Sequence, residues 1–218
     1  MALAIFDLDN TLLRGDSDHS WGQFMVTQGL VDKALYSSMN DKFLADYKAE
    51  QLNIFEYLTF SLAPLTTLSS SELKRLHALF MQDIIEPLKQ PKATKLIEAH
   101  RNAGDRLLVI TATNRFIIEP IVKSLLIDEF LATEPEQING CITGNIIGTP
   151  TYREGKVERL NVWLQEHNES LAGSYFYSDS INDLPLLQEV DNPIAVDPDD
   201  RLRQAAQQQG WEIISLRS

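Results

Sequence analysis

Short runs of apolar residues, each stopped by a polar side chain, recur along this chain and indicate strands buried inside a sheet. They are LAIF, RLLVIT, SYFYSD and PIAVD, at residues 3–6, 106–111, 174–179 and 193–197. A compact apolar run without alternation is typical of a strand that is covered on both faces, as in a parallel sheet. The sequence therefore predicts a sheet whose strands are mostly parallel.

Helical periods separate these runs in the second half of the chain. One helix is predicted to open at Pro91 and to end at Gly104, because these residues favour helix starts and stops. The others are predicted at residues 115–127, 156–166, 182–190 and 199–209. Alternation of strand and helix is typical of an α/β fold. Residues 136–149 interrupt it with short β-branched pieces and glycines, which predicts a small β-hairpin excursion.

The interval between the first two strands has helical periods and no strand pattern. Helices are predicted at residues 18–29, 32–48, 54–62 and 72–88, and Ser69 with Glu72 fits a capping box for the last of them. Loops at the carboxyl ends of parallel strands surround the ligand crevice. Residues 14–90 are therefore predicted to form an all-helical cap domain, inserted after the first strand of a Rossmann-like parallel sheet core that comprises residues 1–13 and 91–218.

Composition and charge narrow the classes of function. The chain of 218 residues carries a formal net charge of −12, and no run of Lys or Arg is typical of a nucleic-acid or anionic-membrane surface. No apolar stretch is long enough to span a membrane, and the N-terminus has no basic leader. The single cysteine, Cys141, favours a reducing compartment. We therefore predict a cytoplasmic protein, a monomer or homodimer, with neither nucleic acid nor membrane as partner.

Polar residues collect where the predicted strands end, and in an open α/β sheet these ends converge on one crevice. Asp7 and Asp9 follow the first strand, Thr111 ends the second, and Asp179 ends the aromatic run, while Lys156 opens a helix. Two carboxylates at the exit of a buried strand are costly unless a cation neutralises them. Oxygen donors favour Mg²⁺ over a metal that prefers His or Cys. The pattern predicts a Mg²⁺ site between Asp7 and Asp179.

This set of side chains fits displacement at a phosphate. Asp7 is the natural nucleophile toward a phosphomonoester, provided that Mg²⁺ and Lys156 offset the charge of the dianion. Asp9 would donate a proton to the leaving oxygen and later accept one from water, which requires a raised pKa. Thr111 and nearby backbone N–H groups would bind phosphate oxygens. The predicted residues are Asp7 and Asp9 for catalysis, Thr111, Ala112 and Lys156 for phosphate, and Asn182 and Asp183 behind the metal ligands, where Asp183 would orient metal-bound water.

Four motifs occur in the order typical of the haloacid dehalogenase superfamily of phosphohydrolases, and the chain resembles that family. They are DLDNT at residues 7–11, VITAT at 109–113, Lys156, and DSIND at 179–183. The resemblance implies an aspartyl-phosphate mechanism in which Asp7, the backbone carbonyl of Asp9 and Asp179 hold Mg²⁺. It also implies that the helical insertion corresponds to the cap of the subclass that contains phosphoserine phosphatases.

The second motif departs from phosphoserine phosphatases, which usually have a serine and two glycines where this chain has Thr111, Ala112 and Thr113. The strings ITATNRF and GDSDHSWGQF look more like a sister group that includes histidinol-phosphate phosphatases. We therefore predict a small phosphorylated metabolite as substrate, first an amino-alcohol phosphate such as histidinol phosphate, and a role in amino-acid biosynthesis. The alternatives are phosphoserine hydrolysis, phosphoryl transfer to an alcohol as in a mutase and, more remotely, a non-enzymatic phospholigand sensor. Dehalogenation ranks last because it needs no metal.

Several residues are predicted to contact the substrate beyond its phosphate, with carboxylates facing an amine and an aromatic side chain facing a ring. They are Asp16, Asp18, His19, Trp21 and Arg115. Each has a simpler interpretation, in which Asp18 caps a helix, His19 is solvated and Trp21 packs in the core. Arg115 could bind a carboxylate nearby instead.

Local structure also offers simpler explanations for the catalytic motifs. Thr111 could merely close a strand, Lys156 could be a solvated helix residue, and the DSIND residues could cap a helix. The order of the four motifs favours the catalytic interpretation. The aromatic cluster of Phe55, Tyr57 and Phe60 is predicted to form the core of the cap rather than to recognise substrate.

Overall fold

A computed structural model describes residues 2–217 and shows a seven-stranded sheet flanked by helices. The strands are β1 (Leu3–Phe6), β2 (Arg106–Asn114), β3 (Glu129–Ile138), β4 (Cys141–Ile147), β5 (Tyr175–Ser178), β6 (Asn192–Val196) and β7 (Glu212–Ile214). Their order across the sheet is β4-β3-β2-β1-β5-β6-β7, and neighbours are parallel except for β3 and β4. The predicted, mostly parallel α/β sheet is confirmed.

Helices cover the sheet and fill the interval between β1 and β2. That interval contains α1 (Ser17–Thr27), α2 (Lys33–Lys48), α3 (Ile54–Leu62) and α4 (Ser70–Phe80). The later helices are α5 (Pro91–Ala103), α6 (Arg115–Ser124), α7 (Glu154–His167), α8 (Leu184–Leu187) and α9 (Asp200–Gln209). An antiparallel bridge between Leu13 and Lys89 joins the residues that precede α1 and follow α4. Residues 14–90 are called the inserted segment below.

Two apolar clusters, one on each face of the sheet, hold the helices in place. Successive side chains of a strand point to opposite faces, so Phe6 packs in one cluster with residues of α5 and α6, whereas Ile5 packs in the other with residues of α7 and α9. Both side chains are fully buried. Burial on both faces explains why the sequence of β1 is an unbroken apolar run.

Local sequence signals set several helix ends. The Ser69 backbone N–H donates to the Glu72 carboxylate at 2.9 Å, and the Ser69 side chain accepts from the Glu72 N–H, so the predicted capping box is present. α5 opens at Pro91 and ends at Gly104, where φ is +80°. The helix predicted at residues 72–88 begins at Ser70 and leaves α-helical geometry after Phe80, continuing as a π turn and a 3₁₀ turn to Leu88. A proline within that last turn, at position 87, has no N–H to continue an α-helix.

The largest difference from the predicted elements concerns β3. This strand begins at Glu129, pairs in parallel with β2, and then continues into antiparallel pairing with β4, so residues 136–149 extend the main sheet rather than leave it. Asn139 and Gly140 make the turn, with φ of +52° and +78°, as Asn-Gly does in two-residue hairpins. Glutamates and Pro135 interrupt the apolar pattern of β3, so the sequence did not predict this strand. β7, only three residues long, was also missed.

The start of α7 depends on close backbone packing at Gly155. A Cβ atom at this position would collide with the carbonyl oxygen of Pro150. Arg153, two residues earlier, takes a φ of +52° as the chain turns into the helix. The residue that follows Gly155 is Lys156, so this packing fixes where that side chain leaves the backbone.

Gly155→Ala should therefore destabilise the protein by about 1–3 kcal/mol, the usual cost of overpacking a site that cannot relax. Thermal unfolding should show a clearly lower Tm. Glu154→Ala, at an exposed position next to it, is the matched control and should leave the Tm nearly unchanged. Equal Tm values for the two variants would show that the backbone yields at this point.

Candidate active site

The carboxyl ends of β1, β2 and β5 meet the inserted segment around a cavity. The residues near the strand ends contribute Asp7, Asp9, Thr111, Ala112, Thr113 and Asp179 to its lining. The inserted segment contributes Asp16, Asp18 and His19, together with apolar and aromatic side chains that include Phe43, Tyr47, Ile54 and Tyr57. The cavity thus brings together eight of the residues that the sequence predicts for the site.

A buried ion cluster lies beside this cavity. Asp7 directly follows β1, and its backbone N–H donates to the carbonyl of Tyr177 at 2.9 Å. The Lys156 ammonium donates to Asp7 Oδ1 at 2.8 Å and lies 2.7 Å from the Asp183 carboxylate. Burial raises the pKa of Asp7 to about 7, although Lys156 opposes the increase. Burial acts to lower the pKa of Lys156, but Asp183 and Asp7 together raise it above its usual value.

A second carboxylate shares a hydroxyl with Asp7. Thr11 Oγ1 lies 3.3 Å from Asp7 Oδ2 and 3.3 Å from Asp179 Oδ1, and it accepts the Asp179 backbone N–H at 3.1 Å. A hydroxyl has one hydrogen, so it can donate to only one of the two carboxylates at a time. Burial raises the pKa of Asp179 well above its usual value, and Asp7 and Asp183 raise it further. The pair is therefore short of positive charge.

Asp183 and Asn182 support the cluster in different ways. Asp183 is buried, holds the Lys156 ammonium and accepts the Ser178 hydroxyl at 2.6 Å. Asn182 donates through Nδ2 to the Tyr47 carbonyl at 3.1 Å, which links the acidic loop to α2 of the inserted segment. Asp183 thus acts on Asp7 through Lys156, while Asn182 ties the core to the helices that cover the cavity.

Asp9 is held from two sides. Its Oδ1 accepts the Ser17 backbone N–H at 2.6 Å, and its Oδ2 accepts the Thr113 hydroxyl at 2.8 Å. Burial raises the pKa of Asp9 to about 6, and Asp16 adds to the increase. A carboxyl with this pKa is partly protonated near neutral pH, which a group that both gives and takes a proton requires.

The end of β2 presents threonine hydroxyls to the cavity, and hydrogen bonds to its backbone carbonyls hold it in place. Thr111 Oγ1 accepts the Thr113 backbone N–H at 3.3 Å, so its own hydrogen is free to donate. The Thr111 carbonyl accepts the Thr151 hydroxyl at 2.6 Å, and the Ala112 carbonyl accepts the Thr133 hydroxyl at 2.9 Å. These bonds fix a loop that can offer Thr111 to an anion.

Carboxylates of the inserted segment make the remainder of the cavity acidic. Asp16 caps α1 by accepting the His19 backbone N–H at 2.9 Å, so Asp16 is the capping residue rather than Asp18. Burial raises the pKa of Asp18 to about 8, and Asp16 contributes to the increase, while a hydrogen bond with Tyr57 opposes it. Among residues 2–217, no lysine or arginine lines the cavity. This region is therefore suited to a cationic group.

Two residues predicted to contact the substrate do not line the cavity, and the geometry does not support that role. Trp21 is buried and packs against Phe80 and Phe116, with ring centroids 5.0 and 5.4 Å apart. The Arg115 guanidinium forms two hydrogen bonds with the Glu134 carboxylate, at 2.6 and 2.9 Å. The simpler interpretations, core packing and pairing with a nearby carboxylate, describe both residues.

Conversely, the sequence interpretation missed cavity residues on the inserted segment. Tyr57 was predicted to belong to the cap core, but it lines the cavity together with Asp18. Its hydroxyl, a polar group on an otherwise apolar helix face, was the signal that could have identified it. Tyr47 also lines the cavity, and no motif marks it. His19 does line the cavity, with Nε2 at 2.9 Å from Gln23 Nε2.

Within residues 2–217, no group of three or more His, Cys, Asp or Glu side chains is placed to hold a metal ion. The predicted Mg²⁺ site requires only two such side chains, Asp7 and Asp179, because Asp9 would contribute its backbone carbonyl. In the same part of the chain, no helix has the length and apolarity needed to cross a membrane.

Comparison with known proteins identifies the family. A family model described as haloacid dehalogenase-like hydrolase matches residues 4–188, and the chain belongs to this family. A histidinol-phosphatase of Neisseria meningitidis serogroup C is 46% identical over 99% of both chains. A phosphoserine phosphatase of Mycobacterium tuberculosis is 29% identical over 99% of this chain and 71% of its own length. The protein is accordingly a phosphatase.

Solved structures share the whole fold. A protein of unknown function from Bordetella pertussis Tohama I has a TM-score of 0.93 and 42% identity, covering 99% of this chain and 98% of its own. A phospho-aspartyl intermediate analogue of a phosphoserine phosphatase has a TM-score of 0.72 and 18% identity, covering 99% of this chain and 93% of its own. The similarity in fold therefore includes the inserted segment as well as the sheet.

The raised carboxyl pKa values predict how stability depends on pH. From the ordinary pKa of 3.8 up to about 6 for Asp9, 7 for Asp7 and 8 for Asp18, the folded chain holds protons that the unfolded chain has released. The free energy of unfolding should therefore fall as pH rises through this window. The Tm of protein kept in a metal chelator should be lower at about pH 8.5 than at about pH 5.5.

The variant Asp18→Asn should flatten the upper part of this curve, because it removes the carboxyl with a pKa of about 8. Asp128→Asn, at an exposed position, is the matched control and should leave the curve unchanged. A Tm that increases from pH 5.5 to 8.5 would contradict the crowding of buried carboxylates described here.

Proposed function

We propose that the protein is a Mg²⁺-dependent phosphomonoester hydrolase that acts through an aspartyl-phosphate on a small phosphorylated amino alcohol, first histidinol phosphate. One observation carries the proposal: a single cavity joins Asp7, beside Lys156, to Asp16 and Asp18, and its described lining contains no lysine or arginine. A substrate with a phosphate and an amine would complement both regions. The 46% identity to a histidinol-phosphatase supports this choice.

The donor set fits Mg²⁺. Asp7 and Asp179 offer carboxylate oxygens on either side of the Thr11 hydroxyl, and burial raises the pKa of both. With the backbone carbonyl of Asp9, they would make a set of hard oxygen ligands, which Mg²⁺ prefers. When bound, Mg²⁺ would neutralise charge on the phosphoryl oxygens.

In the first half of the proposed reaction, a carboxylate oxygen of Asp7 attacks phosphorus and the bond from phosphorus to the alcohol oxygen breaks. Asp9 donates its proton to that oxygen, which would otherwise leave as a poorly stabilised alkoxide. Lys156 holds the Asp7 carboxylate in place and offsets part of the negative charge. The Thr111 hydroxyl donates a hydrogen bond to a phosphoryl oxygen.

In the second half, water attacks the phosphorus atom of the aspartyl-phosphate. Asp9, now ionised, accepts a proton from this water, the bond from phosphorus to Asp7 breaks, and inorganic phosphate leaves. In this proposal, residues 14–90 act as a cap over a core of residues 1–13 and 91–218, and closure excludes bulk water and macromolecular phosphoesters. Asp183 keeps Lys156 in position, and Asn182 helps to hold the cap against the acidic loop.

The substrate beyond the phosphate is proposed from the charge of the cavity. The amine of histidinol phosphate would face Asp16 and Asp18, and its imidazole would lie against the aromatic side chains of Phe43 and Tyr57. Phosphoserine carries an additional carboxylate. The acidic residues would repel that group, and no cation in the described lining would bind it. The cavity therefore favours an amino alcohol over an amino acid.

The first test measures phosphate release from histidinol phosphate. Turnover should require Mg²⁺, stop with EDTA and return when excess Mg²⁺ is added. Asp7→Asn should lower kcat by at least ~10³-fold, because the nucleophile is lost, whereas Asp128→Asn should retain normal activity. Turnover that survives both EDTA and Asp7→Asn would refute the mechanism. An added alcohol acceptor should not divert the phosphoryl group, as it would in a mutase.

The second test concerns the amine. A hydrogen bond to a charged group contributes about 1.5–3 kcal/mol, so Asp16→Asn and Asp18→Asn should each raise KM for histidinol phosphate by about ten- to a hundredfold. For p-nitrophenyl phosphate, which has no amine, KM should change by less than about twofold. Wild-type protein should prefer histidinol phosphate to phosphoserine in kcat/KM. Equal use of the two esters would argue against the proposed substrate class.

A cytoplasmic location, a role in amino-acid biosynthesis and a monomeric or homodimeric state stay predictions. The location rests on the lone cysteine, which is exposed, and the biosynthetic role rests on the proposed substrate.

A further inference from the structure

The Thr113 side chain contacts Asp9 directly. Thr113 lies near the end of β2, is 4% exposed and lines the cavity. Its hydroxyl donates to Asp9 Oδ2 at 2.8 Å, while the other carboxylate oxygen accepts the Ser17 N–H at 2.6 Å. Each oxygen of Asp9 therefore has one partner, and the two partners come from different parts of the fold.

These two bonds determine how the Asp9 carboxyl is oriented. The backbone here is already set by the turn after β1, where Asn10 has a φ of +58° and its N–H donates to the Gly15 carbonyl at 2.8 Å. What the turn leaves undetermined is rotation of the Asp9 side chain. A proton-transfer group is effective only when the oxygen that carries the proton faces the reacting atom. A partner on each oxygen fixes that orientation.

The two partners differ in what they can do. The Ser17 N–H can only donate, so its bond weakens when Asp9 is protonated on that side. The Thr113 hydroxyl donates its one hydrogen to one lone pair of Oδ2, so the other side of this oxygen stays open to carry a proton. A group that gives a proton to the substrate needs a neighbour that leaves this side open.

We propose that Thr113 is a positioning residue, which orients Asp9 for proton transfer to the leaving group. The inference rests on the proposed function, because it assigns a role to Asp9 as the acid. Thr113 itself is well placed for this task, since its backbone N–H is bonded to Thr111 Oγ1 and it belongs to a strand in the middle of the sheet.

The test compares two esters that differ in their need for an acid. Histidinol phosphate releases an alcohol, which needs a proton as it leaves, whereas p-nitrophenyl phosphate releases a stable phenolate, which does not. Values of kcat/KM report the step in which the leaving group departs. Asp9→Asn is the reference and should lower kcat/KM for histidinol phosphate far more than for p-nitrophenyl phosphate.

Thr113→Val keeps the shape of the side chain and removes the hydroxyl. It should lower kcat/KM about 10- to 100-fold for histidinol phosphate, a part of the 10²–10⁴-fold typical of acid–base catalysis, and less than about threefold for p-nitrophenyl phosphate. The loss should fall mainly on kcat. Thr113→Ser restores a hydroxyl and should recover activity to within about threefold. Should Thr113→Val not fold, Thr113→Ala serves for the same comparison.

Thr133→Val is the matched control. Thr133 is also buried, and its hydroxyl bonds to the Ala112 carbonyl at 2.9 Å, but it does not line the cavity. This variant should affect the two esters by the same factor. Equal losses on both esters in Thr113→Val, with Asp9→Asn still selective, would overturn the positioning role and leave the proposed function intact. If Asp9→Asn is not selective, the acid role of Asp9 fails, and the inference fails with it.

Discussion

The arrangement of the site depends on one buried ammonium group. Lys156 lies between Asp7 and Asp183, and all three are shielded from solvent. Burial raises the pKa of the nearby Asp179, and the charges of Asp7 and Asp183 raise it further. Removal of one partner from such a cluster leaves an uncompensated buried charge, which is strongly destabilising. The cluster also carries an excess of negative charge, because the one ammonium group cannot balance the carboxylates of Asp7, Asp179 and Asp183. The remaining negative charge is held at one place because β1 and β5 are paired in the sheet and the start of α7 is fixed by close backbone packing at Gly155.

Much of the fold was predictable because its signals are local. The apolar run of β1, the capping box at Ser69 and the stop at Gly104 depend on residues that are neighbours in sequence. β3 was not predictable in this way. Its first half is stabilised by pairing with β2, and its second half by pairing with β4. That support comes from distant parts of the chain and outweighs the poor strand propensity of its glutamates and Pro135.

The site residues likewise divide into those that sequence motifs could predict and those whose contacts depend on the assembled fold. Motif order could bring Asp7, Lys156 and Asp179 together, since the topology of a parallel sheet places strand ends at one edge. The order of the motifs could not indicate which residue each remaining side chain would contact. Trp21 and Arg115 look like ligand contacts until Phe80 and Glu134 are seen beside them. Tyr57 looks like core until the structure places it in the lining of the cavity with Asp18. In each case the competing partner lies far away in the sequence, on an element whose position follows only from the assembled fold.

The bridge between Leu13 and Lys89 holds together the two chain connections of the inserted segment. Because the two connections lie side by side, the insertion interrupts neither the order nor the register of the strands in the sheet. In the proposed function, the residues that carry the chemistry and those that select the substrate thus belong largely to separate parts of the chain. A new insertion would still have to match the core, because the helices of residues 14–90 share an apolar cluster with one face of the sheet and because Asp9 bonds to Ser17 and Asn182 to Tyr47.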